Sequence, residues 1–300
     1  MRVSSTLNLC VVTLVVLSAC GDSGSSDNTV ALKAKITISS TTDPVSELIA
    51  EIYGQSLEKA EFRVARRRPF DSEGAVLSAM SAGQVQLTAV SSRSLLALLT
   101  NGSIPTDAIA TSAQALAIAK TLPASIKLAT PSTAEDIDVV YCAKSFTDAN
   151  TIVTLTDLGT KPGLATLAAP DGFDTATPLG GAVLKDTYAI EFKSVVPTEI
   201  AKTLDAVTAG TADCGIGSSG DPALSAETVT VLQDDKSLVP NDVIVPLLTA
   251  GADTADVLAI VDAVSARLTT QSFRALMARM SAGGASPEVV ANEFVGNVGT

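Results

Sequence analysis

Short apolar runs alternate with segments of helical periodicity along the chain from Lys33 onward. Residues 34–39 predict a strand, and Asp43 with Pro44 predicts the capped start of a helix whose apolar side chains recur every three or four positions. Strands and helices then alternate through the rest of the chain, which is typical of α/β folds with mostly parallel sheets. We therefore predict an α/β protein rather than a helical bundle or an all-β sandwich.

The order of the predicted elements indicates two lobes. A first series, which includes a helix predicted over 107–122, ends near residue 136, and a second series begins with a strand at 138–142. The second series includes a helix predicted over 197–209, after which the segment 239–248 carries the chain back to three closing helices. We predict that residues 30–136 and 237–300 form lobe 1, that residues 137–236 form an inserted lobe 2, and that the two crossings make a hinge.

The amino terminus has the features of an export signal over residues 1–19. Arg2 precedes an apolar run over 7–17 that is too short to cross a membrane. Leu17-Ser18-Ala19-Cys20 resembles the bacterial lipobox, in which the cysteine becomes the first residue and carries a lipid. Residues 20–29 are polar and rich in glycine and serine, as in flexible tethers. We expect an exported protein anchored by Cys20 at the extracytoplasmic face of the cell membrane; the alternative is an ordinary secretory signal.

Composition narrows the possible chemistry. The 300 residues are 46% hydrophobic, which suffices for a sizeable core, and the net charge of -12 does not favour nucleic-acid binding. The chain has no histidine, so Ser-His and Cys-His catalysis and histidine metal ligands are excluded. The sequence shows no metal-binding cluster and no nucleotide-binding glycine motif. We predict no enzymatic activity, no cofactor and no metal site.

Two cysteines remain in the body of the protein, Cys142 and Cys214. Each lies in a short apolar run that predicts a strand, and an exported protein is in a compartment that permits disulfides. The sequence leaves two possibilities open, a Cys142–Cys214 bridge or two buried free thiols.

The most specific motifs lie in the C-terminal third: Asp221-Pro222-Ala223-Leu224, Val231-Leu-Gln-Asp-Asp-Lys236 and Ser286-Pro287-Glu288-Val289-Val290. Together with matching segments in the same order from residue 44, they resemble the substrate-binding lipoproteins of ABC importers for glycine betaine, carnitine, choline and related osmoprotectants. The resemblance covers roughly residues 35–298. It implies a two-lobed type-2 periplasmic-binding-protein fold that closes on a small polar or cationic solute. The implied partners are an ABC permease and its ATPase subunit.

The resemblance places the ligand between the lobes, at loops that follow the carboxyl ends of strands. In this chain those loops supply the candidate ligand-binding residues, which are Ser40, Thr41, Asp43, Ser91, Asp136, Asp138, Phe173, Ser218, Ser219 and Asp221. Their hydroxyl and carboxylate groups suit a small polar or cationic solute. The alternative is that Ser, Thr and Asp occur there because they favour turns and helix caps.

Several positions depart from the family pattern. Where family members commonly have aromatic residues, this chain has Asp43 and the segment 88–90, and an arginine common in the 174–177 region is absent. Fewer rings weaken the binding of quaternary ammonium, and Phe173, Tyr141 and Tyr188 are either replacements or core residues. Three carboxylates offer an alternative set that would hold a cation by charge: Asp43, Asp138 and Asp221. A different function is a surface lipoprotein that keeps the fold as a protein-interaction module without transporting a solute.

Overall fold

The computed structural model describes residues 33–105, 107–108, 110–176, 178–224 and 227–296. The predicted signal, the lipidation site at Cys20 and the tether lie outside the described residues, and so does Thr177.

The first sheet contains five strands from this part of the chain, in the order β2-β1-β3-β10-β4. Its strands are β1 (Lys35–Ile38), β2 (Arg63–Arg66), β3 (Leu87–Ser91), β4 (Ile126–Leu128) and β10 (Ile244–Thr249). Strand β10 runs antiparallel to both β3 and β4, whereas the other four strands point in one direction. We call this sheet and its helices lobe 1.

Helices cover both faces of the lobe 1 sheet. The helices of this lobe are α1 (Pro44–Lys59), α2 (Glu73–Ser81), α3 (Ser92–Leu99), α4 (Thr111–Thr121), α9 (Ala255–Arg267), α10 (Thr270–Gly283) and α11 (Pro287–Gly296). One core cluster joins α1, α9, α10 and α11 to the sheet, and another joins α2, α3 and α4 to it. In the first cluster the buried Tyr53 hydroxyl lies 2.9 Å from the Ser265 hydroxyl, so the polar end of this ring is satisfied inside the core.

The second sheet has the order β7-β6-β8-β5-β9. Its strands are β5 (Asp138–Ala143), β6 (Thr166–Ala169), β7 (Ser194–Pro197), β8 (Cys214–Ser218) and β9 (Val229–Val231). Its helices are α5 (Lys144–Asn150), α6 (Leu155–Gly159), α7 (Gly181–Tyr188) and α8 (Thr203–Thr208). Here β5 is the strand that opposes the other four. We call this sheet and its helices lobe 2. The predicted α/β class with two lobes is confirmed, and each sheet is mixed, with one reversed strand.

The register of β5 and β8 brings the two cysteines together. Cys142 and Cys214 are direct partners in the antiparallel ladder, and their sulfurs form a disulfide in the structure. Both side chains are fully buried in the lobe 2 core. On the other face of the same strands the Tyr141 ring covers Gly215 and Gly217. A Cβ on Gly215 would lie 2.7 Å from the Tyr141 hydroxyl oxygen, so this position requires glycine.

Two crossings connect the lobes, one between β4 and β5 and one between β9 and β10. The crossings bond to each other, since Glu135 pairs with Val243 in an antiparallel bridge and the Asp136 amide donates to the Asp242 carbonyl at 3.2 Å. We call residues 129–137 and 232–243 the hinge segments.

Some predicted element boundaries are wrong. The helix predicted over 107–122 is Thr111–Thr121 among the described residues. The helix predicted over 197–209 is reduced to Thr203–Thr208, because Pro197 ends strand β7 and a short 3₁₀ turn follows before the helix begins. Proline suits both a strand end and a first helical turn, so the sequence did not distinguish them.

Candidate ligand-binding site

A cavity of about 310 Å³ opens at the edge of lobe 1 where β1 and β3 end. Its wall combines the loops after these strands, the first turns of α1, α2 and α3, both hinge segments and α10. The polar side chains that line it are Thr41, Asp43, Ser46, Glu73, Ser91, Ser94, Asp136 and Asp242. A cleft at the carboxyl ends of strands is the usual ligand position in open α/β sheets, and we call it the acidic cavity because carboxylates dominate its charge.

The start of α1 fixes Asp43. Asp43 is the N-cap of this helix, and its Oδ2 accepts a hydrogen bond from the Ser46 amide at 2.9 Å. The Ser46 hydroxyl in turn accepts from the Thr41 amide at 3.1 Å, which ties the loop after β1 to the helix. Asp43 therefore has both a structural role as a cap and a carboxylate at the cavity wall.

The antiparallel pairing of β10 with β3 brings Asp242 to the end of β3. Its Oδ1 accepts from the Ser91 hydroxyl at 2.6 Å, the Ser92 hydroxyl at 3.4 Å and the Arg93 amide at 3.2 Å. Burial raises the pKa of Asp242, although these hydrogen bonds and the Arg93 charge act in the opposite direction. The carboxylate is thus oriented by the start of α3 while it borders the cavity.

Glu73 begins α2 directly after the N-cap Ser72. Burial, with a further contribution from the nearby Asp242 charge, raises the pKa of Glu73 to about 7. Within the described residues its carboxylate accepts no hydrogen bond. Glu73 therefore changes its charge near neutral pH, which no ordinary Glu side chain does.

Asp136 links the hinge to lobe 2. Its Oδ1 accepts from the Ser218 hydroxyl and from the Gly220 amide, the latter at 3.3 Å. A Cβ on Gly220 would lie 2.8 Å from this oxygen, so the close approach needs glycine at that position. These contacts hold the end of β8 and the loop after it against Asp136, which lines the acidic cavity.

The structure brings together only part of the predicted ligand set. Thr41, Asp43, Ser91 and Asp136 line the acidic cavity. Ser218 does not line it, but its hydroxyl donates a hydrogen bond to Asp136. The remaining polar residues lie elsewhere: Ser40 borders a different cavity beside α11, Asp138 and Ser219 line a hinge cavity of about 310 Å³ with Arg274, and Asp221 caps the turn at Ala223.

The structure places Phe173, one of the predicted ligand-binding residues, in the core of lobe 2. Its ring is buried in the lobe 2 core and packs edge-on against Phe192. Tyr141 and Tyr188 are also core residues; the Tyr141 hydroxyl donates to Thr203 and the Tyr188 hydroxyl donates to Asp234.

Among the charged and aromatic residues of the wall, three were not predicted from the sequence: Glu73, Asp242 and Phe273. Glu73 follows the polar segment Asp71-Ser72, and Asp242 follows Pro240-Asn241, so both stand where a polar loop meets a regular element. Phe273 is the aromatic side chain of the described residues that lines the cavity, and it comes from α10. Glu73 begins a helix and Asp242 precedes a strand, so neither lies in a loop that follows the carboxyl end of a strand in this sheet.

Four carboxylates line the acidic cavity, and among the described residues no Lys or Arg side chain does. No group of three or more Asp, Glu, Cys or His side chains in the described chain is arranged to hold a metal ion. A helix long and apolar enough to span a bilayer is not found in the described ranges. The four carboxylates of the wall favour a cationic solute.

Comparison with known proteins identifies the family. Residues 34–297 match the family model described as the substrate binding domain of ABC-type glycine betaine transport systems. No curated protein sequence matches this chain. Among solved structures, a glycine betaine/carnitine/choline ABC transporter protein is similar with a TM-score of 0.73 and 17% identity, covering 88% of this chain and 97% of that one. Apo YehZ from Escherichia coli is similar with a TM-score of 0.75 and 16% identity, covering 89% of this chain and 99% of that one. At these identities the structural likeness establishes the two-lobed fold, and the family match over most of the chain shows that it belongs to the substrate-binding domains of ABC-type glycine betaine transport systems.

Proposed function

We propose that this protein is the lipid-anchored solute receptor of an ABC importer, and that it holds a small cationic solute in the acidic cavity. In this proposal the lobes close on the solute, and the closed protein delivers it to the permease and its ATPase subunit. The lipid on Cys20 and the tether over residues 20–29 keep the receptor at the extracytoplasmic face of the membrane. The protein carries out no chemical step.

The observation that carries the proposal is the acidic cavity itself. The protein belongs to a family of solute-binding domains, and the cavity lies at strand ends, where open α/β sheets bind ligands. In the described chain, every charged residue of its wall is acidic. A cation entering it exchanges water for carboxylates in a partly buried environment, where charge attraction is stronger than in bulk water.

The hinge supports a closing movement. The acidic cavity is lined by lobe 1 and hinge residues, and the loop after β8 approaches it through the Asp136 contacts. Rotation about the two hinge segments would bring more of lobe 2 over the solute. Two-lobed receptors of this kind close by hinge bending around their ligands.

The proposal is tested by a melting screen of residues 21–300 against cationic, zwitterionic and anionic solutes, with calorimetry for each solute that raises Tm. A solute at 100 times its Kd adds about 2.7 kcal/mol to the free energy of unfolding, which shifts Tm by several degrees. Asp242→Asn is the cavity variant and Asp186→Asn, on the exposed surface of α7, is the control. Cation binding lost only in the cavity variant supports the proposal. If no solute raises Tm and the protein instead captures a partner that is not part of a transporter, the interaction-module alternative is favoured.

A further inference from the structure

We propose that the solute is an organic cation whose charged groups carry N–H donors, an amine or guanidinium compound, and that carboxylates take over the binding role that aromatic rings play for quaternary ammonium. The inference rests on the proposed function because it concerns the same cavity. It goes further by naming the chemical group that the cavity selects.

In the described part of the chain, the carboxylates that line the acidic cavity have oxygens free to accept hydrogen bonds from a solute. Asp242 uses Oδ1 for its hydrogen bonds to α3, and Asp136 uses Oδ1 for its bonds to lobe 2. Asp43 uses Oδ2 to cap α1, and Glu73 accepts no hydrogen bond. Each carboxylate thus keeps at least one oxygen without a hydrogen-bond partner among the described residues. These oxygens border a cavity, and acceptors there favour a ligand that donates.

The second argument is the absence of an internal counter-charge on the described wall. Arg93 gives its backbone amide to Asp242, and its charge lowers the pKa of that carboxyl, but its side chain is not part of the wall. Ammonium and guanidinium groups form charge-assisted hydrogen bonds with such carboxylates. A quaternary ammonium has no N–H and can donate a hydrogen bond to none of these oxygens.

The third argument concerns the remaining surface of the cavity. Val45, Ile49 and Val90 supply apolar contacts, and Phe273 supplies one ring. A single ring is a poor cage for a trimethylammonium group, which is recognised by several aromatic faces. The apolar patch instead suits the methylene groups of a small alkylamine, and the volume of about 310 Å³ restricts the solute to a small molecule.

Matched probes test the inference directly. We would measure, by calorimetry on residues 21–300, the affinity for 1,4-diaminobutane and for its permethylated bis-quaternary counterpart, which has the same charge and carbon chain but no N–H donor. The diamine is expected to bind at least about tenfold more tightly, because the permethylated compound leaves partly buried acceptors unpaired. Equal or tighter binding of the permethylated compound would overturn the inference.

The two proposals fail in distinguishable ways. Binding of choline or betaine without binding of the diamine overturns the N–H requirement and leaves the receptor function in place. Absence of binding to any solute overturns both.

Variants locate the effect in the cavity. At pH 8, where Glu73 is charged, Glu73→Gln and Asp242→Asn should each weaken diamine binding by about tenfold or more, because each removes a charged acceptor from the wall. Asp71→Asn, on an exposed residue just before α2 that does not line the cavity, should leave the affinity unchanged. Melting curves confirm that each variant is folded. Retention of wild-type affinity by both cavity variants would overturn the inference.

Discussion

The raised pKa of Glu73 predicts that Glu73→Gln stabilises the protein at pH 8 but not at pH 5. Burial, with a smaller contribution from the Asp242 charge, raises the pKa of Glu73 from 4.5 to about 7. The folded state therefore holds the proton more tightly than the unfolded chain does. Stability contributed by the protonated form is fully present below about pH 4.5 and is lost as the pH rises through 7. Glutamine is neutral at every pH, so the Glu73→Gln variant does not lose this stability as the pH rises.

The size of the effect follows from the shift. A change from 4.5 to about 7 corresponds to about 3 kcal/mol between the protonated and charged forms. Glu73 is only partly buried, and water screens part of this energy. The positive end of α2 also favours the charged form by about 0.3–1 kcal/mol. We therefore expect the variant to gain about 1–2 kcal/mol over the wild-type protein between pH 5 and pH 8.

The assay is urea unfolding followed by far-ultraviolet circular dichroism at a series of pH values, because the chain has no tryptophan to report by fluorescence. The chain also has no histidine, so few other groups titrate near pH 7. Asp71→Asn is the control, and its free energy of unfolding should change with pH in the same way as that of the wild type. If the stability curves of Glu73→Gln and wild type are also parallel from pH 5 to pH 8, Glu73 does not have the pKa on which the argument depends.

Three further predictions concern the scaffold. Removing the disulfide by Cys142→Ser with Cys214→Ser, across a sequence separation of 72, should lower the free energy of unfolding by about 4 kcal/mol in the chain-entropy model, as denaturant melts would show. Tyr53→Phe should cost about 1–3 kcal/mol, because it leaves a buried serine hydroxyl without its 2.9 Å partner; an unchanged melt would contradict the bond. Gly215→Ala should cost about 1–3 kcal/mol through collision with the ring above it, whereas Gly74→Ala, where the nearest atom would be 3.7 Å away, should not collide and serves as the control.

The fold was largely predictable because it depends on periodicity. The strand at β1 and the capped helix α1 follow from apolar spacing and from the Asp43-Pro44 start, and the structure has both. Helix α3 was missed because it begins immediately at the end of β3, where Ser91 acts as strand end and N-cap at once. Without an intervening turn there is no local break in the sequence to mark its start.

The position of the cysteines shows what register adds to sequence. Cysteines at directly opposed positions of an antiparallel ladder, as found here, require two strands that are neighbours, antiparallel and in the right register. Whether the two strands are neighbours depends on the fold as a whole and cannot be read from the local sequence around each cysteine. The β5–β8 ladder satisfies all three, and the structure accordingly contains the bond.

The same reasoning explains why the sequence indicated only part of the cavity wall. Residues after the carboxyl ends of β1 and β3 were identified because parallel strands end at one edge, and Thr41, Asp43 and Ser91 indeed lie there. Asp242 precedes β10 and reaches this edge only because β10 runs against its neighbours, so that the beginning of one strand lies beside the end of another. Its arrival near Glu73 places two acids in one wall, and the Asp242 charge contributes to the raised pKa of Glu73. Burying two acids in one wall is unfavourable in the empty protein, and under the proposed function a bound cation would offset this cost. This energetic difference between the empty and the filled cavity is what a receptor needs to bind its solute, and it depends on a strand direction that the sequence did not show.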